Sequence, residues 1–364
     1  MPKKKRKLSD SPDDYSSQET NVRAKQRRKE KRRKKLERHA HEQQTRDKQD
    51  TIATDTIDHV VDKTEGRHFT VSVAVPGSIL DNAQSDELRT YLAGQIARSI
   101  AIFNIDEIII FDDGASIDSS VKTKRDSIAQ MANILQYLET PQYLRKQFFP
   151  MHRDLQYAGL LNPLDTPHHM RVDEELPFRE GIVLDRPVKQ GKGSFANCGT
   201  RKDVCINRHL LPGTRVTVRM TNESKKNLKG EVVSPSIPRT ELGLYWGYTL
   251  RIANGIGDVF AGAPFKDGYD LTLGTSERGI SIDDLQLRPF THLLIVFGGV
   301  KGLEAALEAD ERLHVSEVGL LFDYYVNTCP NQGSRTIRTE EALLISMSAF
   351  RPHIDKWSKC VSYA

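Results

Sequence analysis

Cysteine and long apolar runs are scarce in this chain of 364 residues. Its 4 cysteines are too scattered for the paired spacing of a zinc site, and this scatter is typical of reduced thiols. Cys198 and Cys329 stay open to a nucleophilic role, although a structural role is more usual for a lone cysteine. The longest aliphatic runs, such as LLIVF at 293–297, have the length of strands and fall short of the roughly 20 residues of a membrane-spanning helix. The sequence also lacks a Walker A motif.

Positive charge is concentrated in the first 50 residues. They contain 18 Lys and Arg against 9 Asp and Glu, whereas the rest of the chain contains 35 against 40. Residues 1–66 have too few apolar side chains to build a core, so we expect a disordered basic tail. Its runs PKKKRK (2–7) and RAKQRRKEKRRKKLERHA (23–40) predict nuclear import and non-specific attraction to RNA, with a solvated charge run as the plainer alternative.

Strand and helix patterns alternate after the tail. Ser85 stands at a position typical of a helix N-cap. Strands are predicted at 67–80, 106–114, 242–253, 293–297 and 318–329, and helices at 85–105, 126–139 and 339–350. This order predicts an α/β fold with a parallel sheet covered by helices.

Residues 177–241 have a different residue pattern and interrupt this alternation. It contains five short strand patterns separated by Gly, Pro, Asn and Lys turns, which predict a small OB-like β-barrel inserted into the α/β domain. The barrel loops are rich in cations, namely Lys189, Lys192, Arg201, Lys202, Arg208, Lys225, Lys226 and Lys229. The first four of these are the predicted RNA contacts, with an ordinary charged surface as the alternative.

Three polar or Gly-bearing loops follow the second set of strands, at 273–279 (LGTSERG), 296–307 (VFGGVKGLEAAL) and 326–342. In an open α/β sheet, ligands bind where loops leave the carboxyl ends of strands. Glycine in such a loop lets the backbone approach a ligand closely. Each loop alone is weak support, and FGGVKG is not a dinucleotide-binding fingerprint.

Taken in this order, the three loops resemble the cofactor-binding loops of the SPOUT superfamily of RNA methyltransferases. The similarity extends from 67 to 351 and includes VAVPGSILDNAQSDELRTYLAGQIARSIAIFNIDEIIIFDD (73–113), LYWGYTLRIA (244–253) and GYDLTLGTSERG (268–279). It is greatest to the eukaryotic branch associated with large-subunit ribosomal RNA and with centromeres. The resemblance implies a deep trefoil knot in the C-terminal part. It divides the chain into a tail (1–66), two parts of a SPOUT domain (67–176 and 242–364) and the inserted barrel (177–241).

The resemblance also implies site residues. S-adenosyl-L-methionine is expected to bind in a bent form, mainly through backbone groups of the three loops. The cofactor-binding residues so implied are Thr275, Ser276, Glu277, Arg278, Gly298, Gly299, Asn327, Thr328, Ser334, Thr336, Ile337 and Thr339. Arg98 matches the arginine of the first SpoU-like motif, and with Arg278 it is a catalytic candidate. A solvent-facing salt bridge is the alternative for Arg98, and a simple helix cap is the alternative for Thr339.

The implied reaction is methylation of a uridine ring nitrogen, N3, in large-subunit (28S) ribosomal RNA. A nearby guanidinium would stabilise the anion that forms when the N3 proton leaves. No metal is needed, and we expect His168 and His169 to be structural or RNA-contacting. A homodimer, nuclear location and spindle or kinetochore association are further implications. The alternative function is an RNA-binding scaffold at spindles or centromeres with little turnover.

Overall fold

A computed structural model describes residues 66–114, 126–188, 191–221 and 228–361, all within one compact unit, Lys63–Ala364. The predictions for the basic tail lie outside the described residues. The strands of the described part are β1 (Thr70–Pro76), β2 (Glu107–Phe111), β3 (Phe178–Val183), β4 (Phe195–Asn197), β5 (Val204–Ile206), β6 (Arg215–Thr221), β7 (Lys229–Val233), β8 (Thr249–Ala253), β9 (Leu271–Ser281), β10 (His292–Val296) and β11 (Tyr324–Asn327). The α-helices are α1 (Asp86–Ile102), α2 (Ser127–Glu139), α3 (Gln142–Phe148), α4 (Ile237–Leu242), α5 (Ile256–Ala261), α6 (Gly302–Ala309) and α7 (Thr339–Val361).

Six strands form a sheet in the order β11-β9-β10-β1-β2-β8, and every neighbouring pair is parallel. Both faces of the sheet are covered, which is why its central strands are apolar at nearly every position. Val73 and Ile108 pack into the larger core on one face, and Ala74 and Ile109 pack into a second core on the other. The predicted α/β fold with a parallel sheet is confirmed.

Helix α1 begins where the sequence predicts. The Ser85 hydroxyl accepts a hydrogen bond from the Leu88 backbone N–H at 3.3 Å, so the predicted N-cap is confirmed. Helix α7 buries side chains three or four residues apart along one stripe, Leu343, Met347, Phe350 and Ile354. None of the helices in the described residues is long and apolar enough to cross a membrane.

The predicted five-stranded barrel is also confirmed. It closes in the order β3-β4-β5-β7-β6, with β3 paired to β6 and with one parallel pair, β5 and β7. Its interior holds Val183, Ala196, Val204 and Val218. The barrel strands lie between Phe178 and Val233, inside the predicted range. The domain boundaries themselves and the trefoil knot stay predictions.

Two predicted strands are shorter than expected. Of residues 318–329 only β11 is extended, because Val318–Leu321 forms a 3-10 turn. Of residues 242–253 only β8 is extended. Gly243 and Gly247 adopt φ of 63° and 83°, a left-handed conformation that an extended strand does not contain. The long apolar runs therefore reflect burial rather than strand length.

Candidate functional site

The three predicted loops lie side by side at one edge of the sheet. Strands β11, β9 and β10 are neighbours, and since all are parallel their carboxyl ends point to the same edge. A crevice beyond the carboxyl ends of parallel strands is the usual ligand site of such sheets. The order of the strands in the sheet thus brings together residues that are up to about 60 positions apart in the chain.

The first loop is an excursion from within β9 rather than a connection after a strand. On the neighbouring strand, Tyr325 lies opposite Gly274 and the next residue, Val326, lies opposite Ile280, so residues 275–279 bulge out of the ladder. The Thr275 hydroxyl donates to the Val296 carbonyl oxygen at 3.1 Å. The bulge is thus anchored to β10.

The third predicted loop is hydrogen-bonded to the bulge. The Asn327 side-chain amide donates to the Glu277 carbonyl oxygen at 3.0 Å, and its oxygen accepts the Cys329 backbone N–H at 3.0 Å. Thr328 hydrogen bonds through its hydroxyl to the Ser346 hydroxyl of α7 at 2.7 Å. The end of β11 therefore connects the bulge to the last helix.

The second loop is a tight turn from Gly298 to Gly302. The Gly302 N–H donates to the Gly299 carbonyl oxygen at 3.0 Å, and Gly302 has a φ of 80°. A Cβ on Gly298 would lie 2.8 Å from the backbone of Gly302 and Leu303. The turn itself therefore requires glycine at position 298, and cofactor binding at Gly298 stays a prediction.

Thr339 joins the second loop to the third. Its hydroxyl donates to the Gly298 carbonyl oxygen at 3.0 Å. Because α7 begins at Thr339, the predicted cap at this residue is wrong: the Glu341 carboxylate accepts the N–H of the preceding residue, Arg338, at 3.0 Å. Each of the three loops is thus hydrogen-bonded to at least one of the others or to the strand beside it.

The remaining third-loop candidates lie near the solvent. Ser334 and Thr336 are exposed, and the Ser334 hydroxyl donates to the Thr336 carbonyl oxygen at 2.8 Å; Ile337 is half-buried. In the described residues the backbone N–H groups of Gly298, Val300 and Ile337 make no hydrogen bond. These free donors are available to a ligand.

An ion pair joins the first loop to helix α6. The Arg278 guanidinium is 3.4 Å from the Glu304 carboxylate, and the Tyr325 hydroxyl is 3.5 Å from the same oxygen. Burial raises the pKa of Tyr325 above its ordinary value. The Arg278 side chain is 73% exposed, so an incoming anion can reach it and compete with Glu304 for its charge.

Asp113 and Ser78 are not among the site residues predicted from the sequence. The Ser78 hydroxyl donates to the Asp113 carboxylate at 2.5 Å, and a Cβ on Gly299 would lie 2.9 Å from the same oxygen. Asp113 is buried and follows the end of β2. Polar residues directly after a strand, as in the sequence FDDG, were the available signal, but only the sheet order shows that they face the second loop.

Arg98 is not brought to the three loops by its hydrogen bonds. Its guanidinium donates to the carbonyl oxygens of Pro163, at 3.2 Å, and of Leu164, at 2.5 Å. It anchors the segment after α3 to helix α1, rather than forming the predicted alternative of a salt bridge. The resemblance-based role in catalysis stays a prediction.

The predicted RNA contacts of the barrel differ in their surroundings. Lys189 lies outside the described residues. Lys192 and Lys202 are exposed, and Arg201 forms an exposed ion pair with Asp173 at 3.0 Å. RNA binding by these four residues stays a prediction.

His168, His169 and Cys198 lie in surroundings that explain them as structural residues. His168 and His169 both hydrogen bond to the Glu139 carbonyl oxygen, at 2.9 and 2.7 Å, and His168 is fully buried. Burial raises the pKa of the Cys198 thiol to about 12, which leaves it unreactive as a nucleophile. Within the described residues, no group of three or more His, Cys, Asp or Glu side chains is arranged to hold a metal ion.

Comparison with known proteins places the chain among RNA methyltransferases. A family model described as "Putative RNA methyltransferase" matches residues 70–350. The chain is 61% identical over 297 residues to the 28S rRNA (uridine-N(3))-methyltransferase of Homo sapiens, covering 79% of each chain. It is 52% identical over 300 residues to the protein of the same name from Drosophila melanogaster, covering 78% of this chain and 62% of that one.

Among solved structures, the SpoU methyltransferase AviRb from Streptomyces viridochromogenes is similar over 81% of this chain and 62% of that chain, with 12% identity and a TM-score of 0.30. The family assignment depends on the sequence matches, which span most of the chain and include all three loops. The chain belongs to this family of RNA methyltransferases, and the SPOUT resemblance drawn from its sequence is confirmed.

Proposed function

We propose that this protein is an S-adenosyl-L-methionine-dependent RNA methyltransferase that methylates N3 of a uridine in large-subunit (28S) ribosomal RNA. The observation that carries the proposal is the meeting of three hydrogen-bonded loops at adjacent strand ends, in a chain 61% identical to an enzyme named for that reaction. The base and the RNA come from the relatives' names, because no residue on its own identifies them.

The loop residues fit this cofactor. S-adenosyl-L-methionine offers adenine nitrogens and a carboxylate, which accept hydrogen bonds from backbone N–H groups. Free N–H donors at Gly298, Val300 and Ile337 match that need. We propose that the bulge at 275–279, the Gly298–Gly302 turn and residues 327–339 hold it, with the side chains named from the resemblance. When bound, the cofactor supplies an electrophilic methyl group on its sulfonium.

The protein must then favour loss of the uridine N3 proton. Among the exposed cations of the three loops, we propose that the Arg278 guanidinium stabilises a negative uridine ring. Glu304 holds this guanidinium at 3.4 Å and would orient it. Arg98, through the carbonyl oxygens of Pro163 and Leu164, would act by fixing the segment that follows α3.

The scaffold alternative is less favoured. A scaffold would explain why the basic tail attracts RNA. It would not explain why three loops are hydrogen-bonded together while some of their backbone N–H groups stay unpaired. The relatives at 61% and 52% identity are both named as methyltransferases.

Partners and location are further proposals. Homodimer formation is supported by exposed apolar side chains beside the site, Val300 in the second loop and Leu344 and Ile345 on α7. Sedimentation equilibrium would contradict it by giving a single mass near 41.2 kDa. Nuclear location rests on PKKKRK at 2–7, and spindle or kinetochore association rests on the resemblance alone. Fluorescence microscopy of the tagged full chain, with and without residues 2–7, tests both.

The first experiment is calorimetric titration with S-adenosylhomocysteine, followed by a methylation assay. Thr339→Val removes the hydroxyl that joins two loops, and we expect affinity to fall about tenfold, or about 1.4 kcal/mol. Thr214→Val is the matched control, because its hydroxyl also donates to a carbonyl oxygen, that of Leu211 at 2.7 Å in the barrel.

The methylation assay uses a 28S ribosomal RNA fragment and nucleoside mass spectrometry. N3-methyluridine is the expected product. A methylated nucleoside other than N3-methyluridine would overturn the proposed base. Failure of the folded wild type to bind S-adenosylhomocysteine, with or without RNA, would overturn the enzyme itself.

A further inference from the structure

One end of the barrel carries cations that nothing in the described protein neutralises. Ser194 pairs with the segment after β5: its N–H donates to the Arg208 carbonyl oxygen at 2.9 Å, and its hydroxyl accepts the Leu210 N–H at 3.1 Å. This pairing places Lys192, Arg208 and His209 at the same end. All three are exposed, and their side chains make no hydrogen bond or ion pair within the described residues.

Other arginines of the barrel are engaged. Arg186 pairs with Asp203 at 3.1 Å, Arg201 with Asp173 at 3.0 Å, and Arg219 with Glu241 at 2.6 Å. Arg215 is held between two buried carboxylates. An engaged guanidinium must give up its partner before it can neutralise a phosphate, whereas Lys192 and Arg208 are ready to do so.

A cleft opens beside Arg208. It has a volume of about 490 Å³ and is lined by Arg208, Val232, Val233, Ser234 and Ile237. It is open to the solvent, and most of its lining is apolar because Val232, Val233 and Ile237 supply alkyl groups. An open apolar surface beside a planar guanidinium suits a flat, unstacked ring attached to an anionic backbone.

We infer that this end of the barrel binds single-stranded RNA next to the methylation target, with backbone phosphates on Lys192 and Arg208 and one unstacked base in the cleft. The inference rests on the proposed function, because it takes the substrate to be RNA. His209, whose ring is exposed beside Arg208, provides a further surface on which a base can stack. The cleft therefore contributes to the choice of RNA segment, separately from the three loops that hold the cofactor.

The test is fluorescence anisotropy of the full chain with a labelled single-stranded oligonucleotide from 28S ribosomal RNA, over a series of salt concentrations. Removing one cation that neutralises a phosphate reduces the slope of log affinity against log salt by about 0.7 for a single strand. Lys192→Ala with Arg208→Ala should reduce that slope by about 1.4 and weaken binding about tenfold or more. Arg186→Ala with Arg219→Ala is the matched control, since it removes the same two charges from barrel arginines already paired with Asp203 and Glu241.

The base in the cleft is tested separately with Ser234→Tyr, which fills the cleft without changing charge. We expect RNA affinity to fall several-fold at an unchanged salt slope. Normal affinity would overturn the base-binding part, and an equal loss in Arg186→Ala with Arg219→Ala would overturn the choice of this end of the barrel. Normal RNA affinity in the double variant would overturn the whole inference and leave the cleft to a non-RNA partner.

Titration with S-adenosylhomocysteine distinguishes this failure from failure of the proposed function. The double variant, the control with Arg186→Ala and Arg219→Ala, and Ser234→Tyr should each bind it as the wild type does, because none of the changed residues belongs to the three loops. Their thermal unfolding curves serve as the check on folding. If the wild type does not bind S-adenosylhomocysteine, the proposed enzymatic function is contradicted, whatever the RNA result.

Discussion

The charged groups at the junction of the barrel with the α/β domain are buried and paired, whereas the Arg278–Glu304 pair at the three loops is exposed. At the junction, Arg215 of the barrel donates to Glu139 at 2.7 and 2.8 Å and to Glu180 at 2.8 Å. The two carboxylates are 10% and 3% exposed. At the loops, Arg278 and Glu304 are 3.4 Å apart and 73% and 36% exposed.

More of the junction network is satisfied by uncharged donors. Glu180 accepts the Thr217 hydroxyl and the Trp246 indole N–H, each at 2.5 Å. Such a network holds two elements in one relative position, since every alternative arrangement leaves a buried charge unpaired. The barrel is therefore fixed to the sheet, while the loops keep groups free for ligands.

Arg215→Ala should have the largest effect. It leaves Glu139 and Glu180 buried without their cation, and breaking a buried pair in this way costs about 3–5 kcal/mol. Urea unfolding should show that loss, and limited proteolysis should show the barrel opening first. Arg219→Ala is the matched control, because it removes an arginine of the same strand whose partner, Glu241, is 45% exposed. Equal losses would show that burial does not separate the two sites.

The second largest effect is expected from acidification, which should weaken the contacts between the barrel and the rest of the α/β domain. Burial alone would raise the pKa of Glu139, but hydrogen bonds from Arg215 and His168 outweigh it and hold this pKa at about 2, below its ordinary 4.5. Its contribution to stability is thus present above pH 4.5 and lost as the pH falls toward 2. Burial lowers the pKa of His169 from 6.5 to about 3, so the unfolded chain binds this proton first as the pH falls below 6.5.

Each of the two groups should lower the free energy of unfolding by up to about 1.4 kcal/mol per pH unit. This loss applies between the pKa of the group in the unfolded chain and its pKa in the folded protein. Chemical unfolding at pH 7, 6 and 5 measures the histidine window, which precedes that of Glu139. His169→Gln keeps a hydrogen-bonding side chain without this titration, and its stability should change less between pH 6.5 and 4.5. An identical pH dependence in that variant would contradict the assignment to His169.

Arg278→Ala should have the smallest effect on stability, under about 1 kcal/mol, because both partners are exposed. Methyl transfer should nevertheless fall at least about tenfold if the guanidinium stabilises the uridine anion. Arg288→Ala is the control: its pair with Asp323 spans 2.8 Å, with side chains 52% and 36% exposed. We expect single-turnover rates to separate the two variants, and equal rates would remove Arg278 from the chemistry.

Local patterns were enough to predict most elements. Five strands of the barrel, the central strands of the sheet and the Ser85 cap follow from side-chain period and turn residues. The loops at adjacent strand ends followed from the resemblance together with the rule for parallel sheets. What failed depended on tertiary contacts: the bulge at 275–279 is visible only in its register with β11, and Thr339 bonds to Gly298, far away in sequence.

Asp113 and the free end of the barrel could not be found from the sequence for the same reason. The sequence shows a carboxylate after a strand but not that Gly299 lies beside it. It shows the cations of the barrel region but not that Arg201 is paired with Asp173 while Arg208 has no partner among the described residues. Whether a side chain is available to a ligand depends on its neighbours in space, and the linear sequence does not show them.

The position of β1 in the sheet has a consequence for how the chain folds. This strand stands between β2 and β10, and its Thr70 hydrogen bonds to His292, 222 residues later, at 2.9 Å. During synthesis one side of β1 therefore waits until residues 292–296 have emerged, whereas the barrel needs only residues 178–233. Because distant pairings form slowly, we expect the barrel to be protected early in pulse-labelling hydrogen exchange, with β1 and β10 closing the sheet last.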